Sequence, residues 1–386
     1  MKNEQNRRMK QEGIQRILEI VPTSVWGGGE QYVYEVTREL LREGREVTLF
    51  CRTGKNGDRY TLDRMSALSS QSFAGSRVHA LPIRFTGKFS LSAYRKTAQT
   101  VREGKIELIH THIFTDAFIA LVARKLYRLD TKVIMTRHLA KKAKRDPLHR
   151  FIFRNLDRLL FVSKYVAGKF FSGGYPEDGV KWQVNPVALS REKIESARDT
   201  DPRLRTRYGI PQDHLIAAYT GRLVEEKAVD LIVEAAINLR HEKITFLLVG
   251  KDDGSAYVQR LKRRLEETGT RNVVFAGFTE NVMPLIGACD FGLLPTRVEE
   301  ALSLSALEFL TLGKPMIVTD RGGHSDLIHE GINGYHIHID DRTALENAIL
   351  RFLRHPEEMK SMGEAAAKEM QTLDMPLHIQ NLLNLL

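Results

Sequence analysis

Cysteine is nearly missing from this chain. Of 386 residues only Cys51 and Cys289 are cysteines, and they stand far apart. That excludes a disulfide framework and fits a reducing compartment. Long apolar runs are missing too. No stretch approaches the roughly 18 uninterrupted apolar residues of a membrane-spanning helix, so none is expected. The opening residues, MKNEQNRRMKQEG, lack the apolar centre of a secretory signal. The expected location is therefore cytoplasmic. There is no short internal repeat, no low-complexity tract, no Walker A sequence and no G-x-G-x-x-G fingerprint.

What is present suffices for two cores: the length is generous for one, and 42% of the residues are apolar. The net charge of +10 is unevenly placed. Residues 1–190 carry 34 Lys and Arg against 18 Asp and Glu, whereas residues 191–386 carry 24 against 30. The densest basic run is Arg137 to Arg154. A basic first half reads either as a solvated surface or as a face for an anionic acceptor or membrane.

Short apolar strands alternate with amphipathic helices through both halves. Strands are predicted at Arg16–Ile20, Val47–Cys51, Leu108–His110, Val133–Thr136 and Leu159–Val162, with helices at Gln31–Glu43 and Asp116–Leu126. A charged segment with Pro202 and Pro211 interrupts this rhythm and reads as a linker with a short helix. It resumes with strands at Leu215–Thr220, Thr245–Val249, Val273–Phe275, Phe291–Leu294 and Met316–Thr319, separated by helices at Asp230–Leu239, Tyr257–Glu267 and Asn281–Ala288. The predicted fold is α/β: two Rossmann-like, doubly wound parallel-sheet domains facing across a ligand cleft. The expected limits are 1–189 for the first domain, 190–212 for the linker and 213–370 for the second domain. A last helix in 371–386 is expected to pack back on the first.

Candidate chemistry sits where strands end. Glu300 lies in a loop, and Ser305 with Glu308 reads as a capping box for a helix closed by Gly313 and Pro315. Carboxylates beside a helix N-terminus suit a polyhydroxylated, phosphorylated ligand. The amides attract phosphate, and the carboxylates accept from hydroxyls. After Leu215–Thr220 come Gly221, Arg222 and Lys227, two cations able to meet phosphate oxygens. After Arg16–Ile20 come Gly27, Gly28, Gly29 and Glu30, a strand–helix turn that a ligand could approach closely. Gly322, Gly323 and Ser325 form a further such turn. His110 and His112 follow one strand and His138 another. With no third ligand near in the sequence, no metal is expected. Asp199 and Asp201 read as a solvated pair within the linker.

Taken together, these motifs resemble the retaining GT-B glycosyltransferases of glycosyltransferase family 4, the group 1 transferases, over nearly the whole chain. Gly27-Gly28-Gly29-Glu30 is similar to the family's Gly-Gly-x-Glu turn, Thr136-Arg137-His138 to its first-domain histidine, and Phe161-Val162-Ser163 to the strand and serine that follow. Asn185-Pro186-Val187 is similar to its crossover, Gly221 to Lys227 to its diphosphate clamp, and Glu300 with Glu308 to its Glu-x(7)-Glu pair.

The resemblance implies the roles. Arg222 and Lys227 neutralise a leaving diphosphate, Glu300 binds sugar hydroxyls and Glu308 binds the ribose. Backbone at Ser303, Leu304 and Ser305 meets phosphate, and His138 stands near the transferred sugar. Gly27, Gly28 and His112 lie on the acceptor side. The implied donor is a nucleotide diphosphate sugar of UDP or GDP type, with no other cofactor. The implied acceptor is an anionic or lipid-linked sugar in polysaccharide, lipopolysaccharide or glycolipid synthesis, at the inner face of the membrane.

The sequence departs from the family pattern in three places: Leu302-Ser303-Leu304 stands where Phe-Gly-Leu is common, Ala228 where Gly is, and Asp326 where Glu is. A nucleotide-sugar epimerase or phosphorylase of the same fold is an alternative. So is a basic nucleic-acid-binding protein, although no stacking platform or binding motif is present and no nucleic-acid partner is expected.

Overall fold

The computed structural model describes residues 13–53, 59–70, 76–83, 87–196, 200–252 and 254–384. The charged opening stretch 1–12 and Asp199 lie outside them. The chain divides into two compact units, Met1–Val187 with Met375–Leu386, and Ala188–Asp374.

The first unit is built on seven strands: β1 (Arg16–Ile20), β2 (Glu46–Arg52), β3 (Arg77–Ile83), β4 (Leu108–Thr111), β5 (Lys132–Arg137), β6 (Arg158–Phe161) and β7 (Trp182–Val184). All pair in parallel, in the order β3-β2-β1-β4-β5-β6-β7. The inner strands are mostly buried on both faces because helices cover both, and their polar residues, such as Glu19 and His110, lie toward the C-terminal ends. Helix Gly28–Arg42 buries Tyr32, Val33, Val36 and Leu40, spaced to one helical stripe. The order reverses between β1 and β4, which places a crevice beyond their C-terminal ends.

The second unit repeats the design with β8 (Leu215–Thr220), β9 (Ile244–Val249), β10 (Val273–Gly277), β11 (Phe291–Leu294), β12 (Met316–Thr319) and β13 (Gly334–Ile337). The order is β10-β9-β8-β11-β12-β13, all parallel, with the reversal between β8 and β11. No helix among the described residues is long and apolar enough to cross a membrane.

Several local expectations change. The segment read as a linker folds into the second unit as helices Arg191–Ser196 and Leu204–Tyr208. Within it, Asp201 is not solvated: its carboxylate pairs with Arg207 at 2.9 Å, and its amide donates to the Pro284 carbonyl at 3.0 Å. The helix after Glu300 runs from Leu304 to Thr311, capped by Ser303, whose hydroxyl accepts from the Ala306 amide at 3.2 Å. Ser305 and Glu308 therefore form no capping box. Ser305 lies in the first turn and Glu308 in the middle of the helix. At the far end, helix Met375–Asn384 belongs to the first unit and contacts Gly28–Arg42.

Candidate active site

In the second unit the sequence-predicted residues gather at the C-terminal edge of β8, β11 and β12. The Lys227 ammonium donates to the Glu300 carboxylate, with both side chains 16% exposed. Lys227 ends a short 3₁₀ turn, Glu225–Lys227, and Glu300 lies in the loop after β11. Two glycines hold that loop. The Gly323 amide donates to the Glu300 carbonyl at 2.7 Å. A β-carbon on Gly322 would stand 2.5 Å from that carbonyl, and one on Gly323 would stand 2.2 Å from the Ala301 carbonyl. No real side chain tolerates such distances, so only glycine lets these backbones touch.

Across the β8/β11 reversal, the hydroxyls of Thr220 and Ser305 meet at 2.5 Å, tying the end of β8 to the first turn of helix Leu304–Thr311. Ser303 has φ near −93°, which any residue adopts, so serine in place of the family's glycine imposes no backbone strain there and supplies the cap. Arg222 is mostly exposed and stands 3.6 Å from Glu226, a pairing worth little in water. Ala228 adopts a left-handed φ of 52°, which explains why glycine is common at this position.

Sequence reasoning missed two supports. Arg297 forks onto both carboxylate oxygens of Asp230, at 2.9 and 2.7 Å, and its amide donates to the Glu226 carbonyl at 2.9 Å. It thereby braces the turn that carries Lys227. Asp230 lies 67 residues away, so no local pattern announces the pair. Lys193, from the segment read as a linker, donates to Glu308.

In the first unit the C-terminal ends of β1, β4 and β5 bring together Glu19, His110, His112 and His138. The parallel register sets Glu19 opposite His110, so the acid missing from the local sequence arrives from the neighbouring strand. One Glu19 oxygen lies 2.8 Å from His110 Nδ1 and the other 3.2 Å from His112 Nε2. His110 Nε2 meets the Thr136 hydroxyl at 2.7 Å, and His112 Nδ1 meets His138 Nε2 at 3.2 Å. Burial would raise the Glu19 carboxyl, yet His110 and His112 hold it near 2. Burial, with His110 beside it, pushes His112 down to about 4, and burial takes His138 well below its ordinary value. Glu19, His110 and His112 are the one group among the described residues whose atoms are close enough to hold a metal. Binding one would require them to give up these hydrogen bonds. Gly27 caps helix Gly28–Arg42 without a side-chain bond, and a β-carbon on Gly28 would meet nothing within 4 Å.

Two parallel α/β sheets, each with polar groups at its strand-order reversal, define a two-domain GT-B enzyme. The family described as "Glycosyltransferase Family 4" matches residues 26–191, and "Glycosyl transferases group 1" matches residues 200–369. The chain belongs to these group 1, family 4 glycosyltransferases. It is 24% identical to N-acetyl-alpha-D-glucosaminyl L-malate synthase of Bacillus anthracis, over 72% of this chain and 73% of that protein. Its fold is similar to a glycosyltransferase from Rickettsia africae ESF-5, with a TM-score of 0.81 at 19% identity, covering 96% and 97% of the two chains. It is also similar to Anabaena Alr3699/HepE, solved in complex with UDP, with a TM-score of 0.77 at 19% identity, covering 95% and 98%.

Proposed function

We propose that this glycosyltransferase moves a sugar from a nucleotide diphosphate sugar to an acceptor hydroxyl, with the anomeric configuration retained. The observation that carries this reading is the Lys227–Glu300 pair, held by Gly322 and Gly323 beside the first turn of helix Leu304–Thr311. A cation, a sugar-binding carboxylate and helix amides side by side are the groups a sugar diphosphate needs. Structures of Alr3699/HepE with UDP and UDP-glucose support a uridine donor.

In the proposed reaction the anomeric carbon–oxygen bond to the diphosphate breaks as the acceptor oxygen bonds to the same face of that carbon. The departing phosphate oxygen takes the acceptor's proton. Arg222 and Lys227 meet the charge growing on the diphosphate, which lowers the barrier. Because these fixed cations take the electrostatic role of a divalent ion, transfer proceeds without one. Glu300 holds donor-sugar hydroxyls, and Glu308 holds the ribose once Lys193 releases it. His138 and Gly28 meet sugar or acceptor. The exposed cations Lys141, Lys142, Lys144, Arg150 and Arg154 around helix Pro147–Asn155 suit an anionic or lipid-linked acceptor in cell-surface polysaccharide or glycolipid synthesis at the inner membrane face.

The test is incubation with UDP-, GDP-, ADP- and CMP-sugars, with and without acceptor, in the presence of a chelator. The expected result is acceptor-dependent release of one nucleoside diphosphate, unaffected by the chelator. Conversion of the donor alone would mark an epimerase.

A further inference from the structure

We propose that Glu19 and His112 are positioning residues that fix His138 in one tautomer, with its hydrogen on Nε2 and a bare lone pair on Nδ1. The ligand group that meets His138 must then donate a hydrogen bond to it. Which ligand this is rests on the transferase reading. The tautomer itself belongs to the free protein.

The assignment follows from counting donors along the buried chain. Glu19 is ionised, so both of its oxygens only accept. His110 Nδ1 at 2.8 Å and His112 Nε2 at 3.2 Å must therefore each carry a hydrogen. His110 Nε2 and the Thr136 hydroxyl meet at 2.7 Å. His112, kept neutral by burial, is left with one acceptor nitrogen. It is Nδ1, 3.2 Å from His138 Nε2, so His138 Nε2 is the donor. His112 and His138 are both neutral near pH 7, because burial opposes their charging. A neutral His138 with hydrogen on Nε2 has none on Nδ1. Among the described residues Nδ1 has no partner, and His138 is not fully buried.

A second set of contacts fixes the ring plane. The rings of Tyr32 and His138 pack in a T-shaped arrangement with centroids 4.7 Å apart. Tyr32 is held in turn by its hydroxyl, 2.8 Å from His378 Nε2 on the last helix. His378 Nδ1 lies 2.7 Å from the Pro186 carbonyl and donates to it, which leaves Nε2 to accept from Tyr32.

The consequence is a rule of specificity. A hydroxyl or an amide N–H can satisfy His138 Nδ1. A carboxylate or an ionised phosphate cannot, because it would set a lone pair against a lone pair. The anionic part of any acceptor is therefore held elsewhere, and the group at His138 is a neutral donor such as a sugar hydroxyl.

The tautomer is read directly from two-bond proton–nitrogen correlations of the full-length chain labelled with ¹⁵N-histidine. His138 is assigned by the peaks lost in His138→Gln. The expected spectrum shows Nε2 protonated and Nδ1 bare. In Glu19→Gln the amide offers one donor and one acceptor, so it cannot satisfy two N–H groups, and His138 is expected to show the other tautomer or a mixture. His112→Phe keeps a flat ring but removes the acceptor, and should likewise abolish the single tautomer. A wild-type His138 with its hydrogen on Nδ1, or doubly protonated, overturns the proposal without any variant. So does an unchanged His138 spectrum in either folded variant. No ligand enters the measurement, so its outcome is independent of whether the chain transfers sugar.

Discussion

The backbone of Gly323 and the backbone of Glu300 are in direct contact: the glycine amide donates to the glutamate carbonyl at 2.7 Å. With Gly322 packed on the same peptide, the two loops form one rigid corner. Gly323→Ala would need the Ala301 carbonyl to move. The expected cost is about 1–3 kcal/mol of stability from overpacking. A shifted Glu300 should also reduce kcat/KM by at least ten-fold. Denaturant unfolding and steady-state kinetics on the same preparation check both.

Lys227 and Glu300 depend on each other, since each is largely covered and faces the other. Lys227→Ala removes the cation proposed to meet the diphosphate and leaves the Glu300 carboxylate without its Lys227 partner. Transfer is expected to fall by roughly 10²–10³, the scale set by removing one preorganised transition-state donor. Glu300→Gln keeps the shape but loses the charge, and should impair transfer with less effect on stability. Normal turnover by either folded variant would contradict the assignment.

Gly28 offers a cleaner probe of ligand approach. A β-carbon there meets nothing within 4 Å, so Gly28→Ala should fold with a stability close to wild type. A loss of transfer in that variant would then report contact with donor or acceptor rather than damage to the fold. Matching melting curves combined with a raised KM is the expected result.

Ser303 tests the departure from the family pattern. Ser303→Ala loses the helix cap and should cost about 1 kcal/mol, whereas Ser303→Gly should cost only a few tenths. Both variants should retain transfer, because the proposed phosphate contact here is made by backbone. Chemical denaturation and rate measurements decide this.

The first unit should be acid-sensitive. The folded pKa values of His112 and His378 lie near 4, and that of His138 lies well below 6.5, each because burial opposes charging. The unfolded chain therefore takes up protons that the folded one refuses. This stability is fully present above about pH 6.5 and is lost as pH falls toward 4, by up to about 1.4 kcal/mol per pH unit for each proton. Glu19, held near 2, extends the loss below pH 4.5, while Asp116, raised by burial to about 6 despite Arg52, works in the opposite sense. Trp26 and Trp182 are the only tryptophans and both lie in the first unit, so their fluorescence follows its unfolding alone. A flat response between pH 7 and 4.5 would contradict the buried histidine cluster.

The inner strands were legible because runs such as those of β9 and β11 are apolar on both faces. The edge strand β3 was not: its residues are mostly part-exposed and include Pro82, so it carries little apolar signal. In the site, Lys227 and Glu300 were legible as motif residues. Glu19 was not, because a single glutamate inside an apolar strand gains meaning only from the β1–β4 register. Lys193 was hidden by its charged surroundings, and the Arg297–Asp230 brace by its sequence separation. The capping box failed because Ser303, two residues earlier, satisfies the helix start first.

The central claim is that the Lys227–Glu300 corner holds a nucleotide diphosphate sugar. Calorimetric titration of the full chain with UDP-, GDP-, ADP- and CMP-sugars, repeated with Lys227→Ala, tests it most directly. The account predicts that one diphosphate sugar binds the wild type and binds the variant at least ten-fold more weakly, a difference of about 1.4 kcal/mol or more. Binding of none of the diphosphate sugars, or equal binding by the folded variant, would contradict it.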